Sequence, residues 1–157
     1  VISLLSLLYL RNDTASSYVL LIWIVTLTIF SDIGGYIFGK VFKWKKLTSI
    51  SPNKTLSGAI GSFFFSFMSV FAIGGIVNLI EGLNFDFFLK PKYFLLAIVF
   101  SLAAQIGDIS ISYFKRLEKI KDTGKILPGH GGIFDRIDGL IFVVIIAYFA
   151  YSLNLFP

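Results

Sequence analysis

Long apolar runs separated by short charged connections organise this chain. Four segments carry no charged side chain: Thr14–Ser31, Leu56–Ile80, Tyr93–Gly107 and Gly139–Pro157. A membrane-crossing helix needs roughly 20 mainly apolar residues, and about 18 uncharged ones make a candidate. Leu56–Ile80 and Gly139–Pro157 meet that length unaided, and Thr14–Ser31 just reaches it. Tyr93–Gly107 reaches it only by continuing through Asp108 to about Tyr113. The pattern predicts spans at about 15–39, 56–80, 93–114 and 134–155. The expected fold class is therefore all-α, a polytopic transmembrane helical bundle forming one membrane-embedded domain over residues 1–157.

Punctuation between the runs agrees. Ser51-Pro52-Asn53 breaks the chain before the second span, and Lys90-Pro91 closes the next connection. Pro128-Gly129-His130-Gly131-Gly132 is incompatible with regular helix and reads as a loop. Residues 1–10 are apolar but would cover only about 15 Å as a helix. They are read as a partial helix. The sequence has no initiating Met, basic n-region or small-residue cleavage site. The expectation is the C-terminal portion of a longer protein.

Composition narrows the class further. Hydrophobic residues make up 56% of the chain and charged residues 15%, with a mean hydropathy of +0.84. A soluble domain carries about 25% charge and about 45–50% apolar residues. There is no cysteine and a single histidine, which excludes disulfides, thiolate chemistry and a Cys/His zinc site. The net charge of +5 fits orientation and anionic headgroups better than nucleic acid, so no nucleic-acid partner is expected.

Charge placement then orients the spans. Lys40–Lys54 holds five lysines and no acid, whereas Glu81–Lys92 holds two acids and two lysines. Lys115–Arg136 holds six basic residues against Glu118, Asp122 and Asp135. The two basic connections are two spans apart and must share a face, and the excess of positive charge assigns that face to the cytoplasm. The polar residues of interest collect there, giving an expected cytoplasmic-side polar site.

On the third span Gln105, Asp108, Ser112 and Lys115 recur at three- and four-residue spacing, which puts them on one helical face. Asp135 and Asp138 point the same way at the entrance of the last span, and Asp32 with Tyr36 lies near the end of the first. Carboxylates gathered this closely repel unless a cation neutralises them. Mg²⁺ suits such oxygen ligands and keeps positions open for phosphates. Lys115, Arg116, Lys121 and Arg136 suit phosphate oxygens, and Gly129–Gly132 allows backbone N–H groups to approach an anion. Together these features suggest phosphoryl or nucleotidyl chemistry.

Plainer readings compete at several positions. Lys40–Lys46 fits simple positive-inside topology, and Gly35 to Gly39 is a small-xxx-small packing motif. His130 alone fits a loop hydrogen-bonder. Glu118 and Asp122 fit solvated acids pairing with Lys119 or Lys125. Asp32 and Asp108 resist such readings, because an acid at membrane depth has no inexpensive structural explanation.

Ser112 to Asp138 closely resembles the signature of the phosphatidate cytidylyltransferase family, also called CDP-diacylglycerol synthases. The matching elements are Ser112, Phe114, Lys115-Arg116, Lys121-Asp122, Gly124, Leu127, Pro128, His130-Gly131-Gly132, Ile133, Asp135-Arg136, Ile137 and Asp138, each at the right spacing. Upstream, Ser31-Asp32-Ile33-Gly34-Gly35-Tyr36 with Gly39-Lys40 is similar to the family's Asp-and-Gly span. Ile50-Ser51-Pro52-Asn53-Lys54-Thr55 with Gly58 is similar to its Ser-Pro-x-Lys-Thr loop, and Gln105-Ile106-Gly107-Asp108 matches the approach to the signature. Ser57 departs, standing where family members carry Glu or Gln before the glycine.

The resemblance implies a Mg²⁺-dependent transferase of phospholipid biosynthesis, converting CTP and phosphatidate to CDP-diacylglycerol and pyrophosphate. It implies Asp108, Asp135 and Asp138 as metal ligands, with Lys115 and Arg116 beside them in the catalytic set. Lys121 and Arg136 would hold phosphates, and His130, Gly131 and Gly132 would close over the triphosphate. Asn53, Lys54 and Thr55 would complete the nucleotide side. Asp32, Tyr36, Ser112 and Asp122 would support binding. The expected setting is a multi-pass position in a bacterial inner membrane among membrane lipids, with the site facing the cytoplasm. A second cation and a homodimeric partner stay open. The rival readings are a CTP-dependent polyprenol or dolichol-type lipid kinase and a non-enzymatic transporter component. No Walker-type Gly-x-x-x-x-Gly-Lys-Ser/Thr stretch is present.

Overall fold

The computed structural model describes residues 1–11, 15–48, 51, 54–78, 90–120 and 134–155; the side chains of residues 15, 16, 78 and 134–136 lie outside that description. Among the described residues the regular structure is helical apart from one isolated bridge: α1 (Ile2–Leu10), α2 (Ala15–Phe42), α3 (Leu56–Asn78), α4 (Pro91–Leu117) and α5 (Phe134–Ser152). Among the described residues three helices are long and apolar enough to cross a membrane, over Ser17–Phe42, Leu56–Val77 and Pro91–Leu117. The apolar part of α5, Ile137–Ser152, is shorter. The all-helical fold expected from the apolar runs is therefore present.

Local chemistry explains where the helices start and stop. α2 ends ahead of Lys43, whose φ of 49° is a left-handed stop. α3 begins at a Thr55 cap, whose Oγ1 accepts the Gly58 N–H at 3.1 Å. α4 opens on Pro91 after an extended Lys90 (φ −69°, ψ 139°), the pairing that proline's fixed φ and missing N–H favour. Lys115 and Arg116 in its last turn sit at the negative end of the helix dipole.

Packing follows from the small residues. Between helices in lipid there is little hydrophobic drive, so close backbone approach and hydrogen bonds do more of the work. α2 and α3 form the tightest pair, with α4 against α5 next and α1 lying on α5. At the α2–α3 seam a Cβ built on Gly61 would sit 2.5 Å from the Gly34 carbonyl oxygen, and one on Gly58 would sit 2.8 Å from the Gly35 oxygen. No side chain larger than hydrogen fits there. The packing role expected of the Gly35 to Gly39 motif is met, with Gly34 joining it. Deeper in the bundle, Trp23 is fully buried, edge-on to Tyr93 with centroids 5.9 Å apart and 5.7 Å from Phe100.

A second, polar layer lies just below one end of the bundle. The buried Ser31 and Ser101 hydroxyls meet at 3.1 Å, joining α2 to α4. Ser62 Oγ donates to the Ser31 carbonyl at 2.8 Å, joining α3 to both. Gln105 Nε2 donates to Ser101 Oγ at 3.4 Å. These bonds set the relative height of three helices immediately beneath Asp32 and Asp108.

Candidate active site

The connection from α2 to α3 folds back as a short arm. Lys46 and Thr55 form an antiparallel bridge, Leu47 N–H donates to the Lys54 carbonyl at 2.8 Å, and Leu56 N–H donates to the Lys45 carbonyl at 2.9 Å. Ser57, the position that departs from the family pattern, is buried behind the arm. Its Oγ accepts the Trp44 N–H at 3.5 Å and shares a hydrogen bond with Thr55 Oγ1 at 3.0 Å. Ser57 thus fastens the arm to the start of α3. The arm directs Lys54 inward, where its Nζ forms an ion pair with Asp108 Oδ2 on α4.

Asp138 completes the charged set from α5. Its Oδ1 accepts the Gly139 N–H at 2.8 Å, and its Oδ2 lies 4.0 Å from Lys115 Nζ. The Asp138 and Lys115 side chains are only 12% and 13% exposed, so this pair is far less screened than a surface one. Asp108 lines the same cavity and lies near enough to act on Asp138 electrostatically. Two carboxylates from two helices therefore face each other, each with its own lysine.

Lys54, Asp108 and Asp138 border a cavity of about 790 Å³, within the roughly 300–1,000 Å³ common for small-ligand sites. Its wall draws Asp32 and Tyr36 from α2, Lys54 and Thr55 from the arm, Asp108 from α4 and Asp138 from α5. Six of the site residues expected from the sequence are thus brought together. Lys115 reaches the group through Asp138. Arg116 is exposed, donates from Nη1 to the Ile120 carbonyl at 3.5 Å and does not line the cavity. Ser112 is half-buried on α4 and does not line it. Asn53, Lys121, Asp122, His130, Gly131 and Gly132 lie outside the described residues, as do the side chains of Asp135 and Arg136.

Ser51, Ser62 and Gln105 also line the cavity and were not among the expected site residues. Gln105 shares the helical face of Asp108, and Ser51 belongs to the Ser-Pro-Asn-Lys-Thr loop, so both had a legible signal. Ser62 had none, since a serine inside an apolar run looks like any small packing residue.

The donor set suits a divalent cation. Asp108 and Asp138 present hard carboxylate oxygens to one open space, the ligand type Mg²⁺ prefers when water and phosphate fill its remaining positions. Among the described residues no group of three or more acids or histidines gathers; the third expected ligand, Asp135, has its side chain outside them.

An all-helical membrane protein, with paired acids and lysines gathered at one end of its bundle, is the class that fold and site define. Residues 1–154 match the family model described as "Cytidylyltransferase family". The chain belongs to the cytidylyltransferase family. Its relatives include a phosphatidate cytidylyltransferase of Helicobacter pylori strain J99, 40% identical over 129 residues, covering 79% of this chain and 44% of the relative. The phosphatidate cytidylyltransferase of Brucella suis is 34% identical over 147 residues, covering 93% of this chain and 52% of the relative. That of Staphylococcus aureus strain COL is 41% identical over 128 residues, covering 80% and 44%. The chain spans about half the length of these curated relatives.

Proposed function

We propose that this site transfers a cytidylyl group from CTP to phosphatidate, giving CDP-diacylglycerol and pyrophosphate. The observation that carries the reading is the convergence of Lys54, Asp108 and Asp138, from three separate segments, on one cavity. Family membership and relatives named phosphatidate cytidylyltransferase support the choice of reaction.

In the proposed step a phosphate oxygen of phosphatidate attacks the α-phosphorus of CTP in line. A new P–O bond forms as the bond from the α-phosphorus to the α,β-bridging oxygen breaks, and pyrophosphate leaves with that electron pair. No protein nucleophile is required, consistent with a chain lacking cysteine. The protein's contribution is positioning and charge compensation. Lys54, delivered by the arm, is placed to take a phosphate oxygen of CTP, and Lys115 is placed for a phosphate beside Asp138. Asp108 and Asp138 would hold Mg²⁺, with Asp135 as a third ligand; when bound, the ion neutralises charge on the triphosphate. Asp32 and Tyr36 line the cavity on the α2 side and bound the space a ligand occupies. Lys121, Arg136 and the His130-Gly131-Gly132 loop remain assigned to phosphate contact by the family signature.

The proposed orientation places the cavity at the cytoplasmic face of a bacterial inner membrane. The five lysines of Lys40–Lys54 and the basic residues ending α4 share its end of the bundle, as the positive-inside rule requires. The bacterial origin of the relatives supports the setting.

By-product analysis tests the reaction. The full-length protein in mixed micelles, given labelled CTP, phosphatidate and Mg²⁺, is expected to release pyrophosphate and label the lipid with CMP. CDP as by-product would instead mark γ-phosphoryl transfer, and no turnover of either kind would remove the enzymatic reading.

A further inference from the structure

Resting on that reading, we infer that Lys54 is a built-in counter-ion that exchanges partners: it neutralises Asp108 until a divalent cation takes the carboxylate, and then passes to the triphosphate. The site holds a conflict. Asp108 is placed to hold a cation and Lys54 to hold a phosphate, yet the two side chains are bonded to each other. Lys54 Nζ is buried, and among the described residues Asp108 is the partner it meets. Losing that ion pair without a replacement would strand a desolvated ammonium.

The geometry makes exchange feasible in both directions. The backbone of Lys54 is fixed by the Leu47 N–H bond and by its own N–H donating to the Ser51 carbonyl at 3.0 Å. Its side chain is 22% exposed and that of Asp108 is 36% exposed, both on the cavity wall, so an entering ligand meets both partners. The flexible lysine stem can turn within the cavity while the arm stays in place. A cation arriving alone must displace an ammonium that then has no anion. A cation arriving with a triphosphate releases the same ammonium onto a phosphate. Cation and triphosphate binding are therefore coupled through Lys54, beyond any direct contact between the two ligands.

The test reads Lys54 directly in the full-length protein. An amine-acylating reagent followed by mass spectrometry measures its reactivity with no additions, with Mn²⁺ as the divalent probe, and with Mn²⁺ plus CTP. The expected pattern is slow acylation alone, several-fold faster acylation with Mn²⁺, and protection when CTP is added. In Asp108→Asn the fast rate is expected from the outset, with no response to Mn²⁺. In parallel, Mn²⁺ titration followed by EPR is expected to show Lys54→Ala binding the ion about fivefold more tightly without nucleotide, the upper range for a partly screened pair. Lys54→Arg and Lys46→Ala are expected to stay near the wild-type affinity; the latter removes an exposed charge from the same arm. Equal tightening by Lys46→Ala and Lys54→Ala would reduce the effect to the general field and overturn the exchange. Acylation indifferent to saturating Mn²⁺, with cytidylyl transfer intact, would overturn it and leave the proposed function standing. Release by Mn²⁺ without protection by CTP would uphold the cation half and overturn the triphosphate as acceptor.

Discussion

Gly61→Ala is the most informative perturbation of the scaffold, because the structure sets its consequence in distances. The added methyl would lie 2.5 Å from the Gly34 carbonyl oxygen and 2.5 Å from the Phe38 Cβ, where ordinary contacts run from 3.4 to 4 Å. One neighbour is backbone and cannot rotate aside, so α2 and α3 must part by roughly an ångström over their closest stretch. Overpacking of this kind costs about 1–3 kcal/mol. Alanine's better helix propensity returns at most about 1 kcal/mol. The net expectation is a loss of up to about 2 kcal/mol, and each 1.4 kcal/mol is about a tenfold change in the folded-to-unfolded ratio. Gly75→Ala supplies the control, since a Cβ there meets nothing within 4 Å among the described residues. Reversible denaturation in mixed detergent micelles compares the two. Gly61→Ala is expected to be clearly destabilised while Gly75→Ala matches or exceeds the wild type. Equal stability of the two variants would refute the claim that backbone contact holds this seam.

Further outcomes follow from the site. Asp108→Asn should abolish cytidylyl transfer while the protein stays folded and inserted; near-normal turnover would remove Asp108 from the cation shell. Lys54→Ala should raise KM for CTP, measured by initial rates, whereas an effect confined to phosphatidate would reverse the assignment of this lysine. Ser101→Ala should cost about 0.5–1.5 kcal/mol in the same denaturation assay, because it removes the bonds to Ser31 and Gln105. A neutral result would deny the serine layer any part in holding the helices at one height.

Much of this architecture was legible before any coordinates, for physical reasons that differ by element. Apolar length alone marks the helices, since a charge-free run such as Leu56–Ile80 has few destinations other than a bilayer. Helical periodicity put Gln105, Asp108 and Lys115 on one face, and the structure sends the first two to the cavity and the third to Asp138. Pairings between distant segments were harder to see. Nothing local to Lys54 says that its carboxylate partner lies on α4, because the arm that aims it is closed by contacts from Trp44 to Ser57. The Ser31–Ser62–Ser101 layer was also hidden, since a lone serine in an apolar run carries no periodic signal. Ser57 is a related case: its role becomes plain only when its hydroxyl is seen fastening the arm.

Carboxylates from α4 and α5 border one cavity, and cysteine pairing tests this without reference to catalysis. The chain has no cysteine of its own, so Asp108→Cys combined with Asp138→Cys introduces the only two thiols in it. A short bis-methanethiosulfonate reagent, which loses a sulfinate at each thiol it captures, is expected to join the two positions efficiently in membranes, while Leu102→Cys with Asp138→Cys, its first residue exposed on α4 outside the cavity, stays unjoined. Failure of the 108–138 pair to cross-link, in protein shown to be folded and inserted, would contradict the shared site on which every functional assignment above depends.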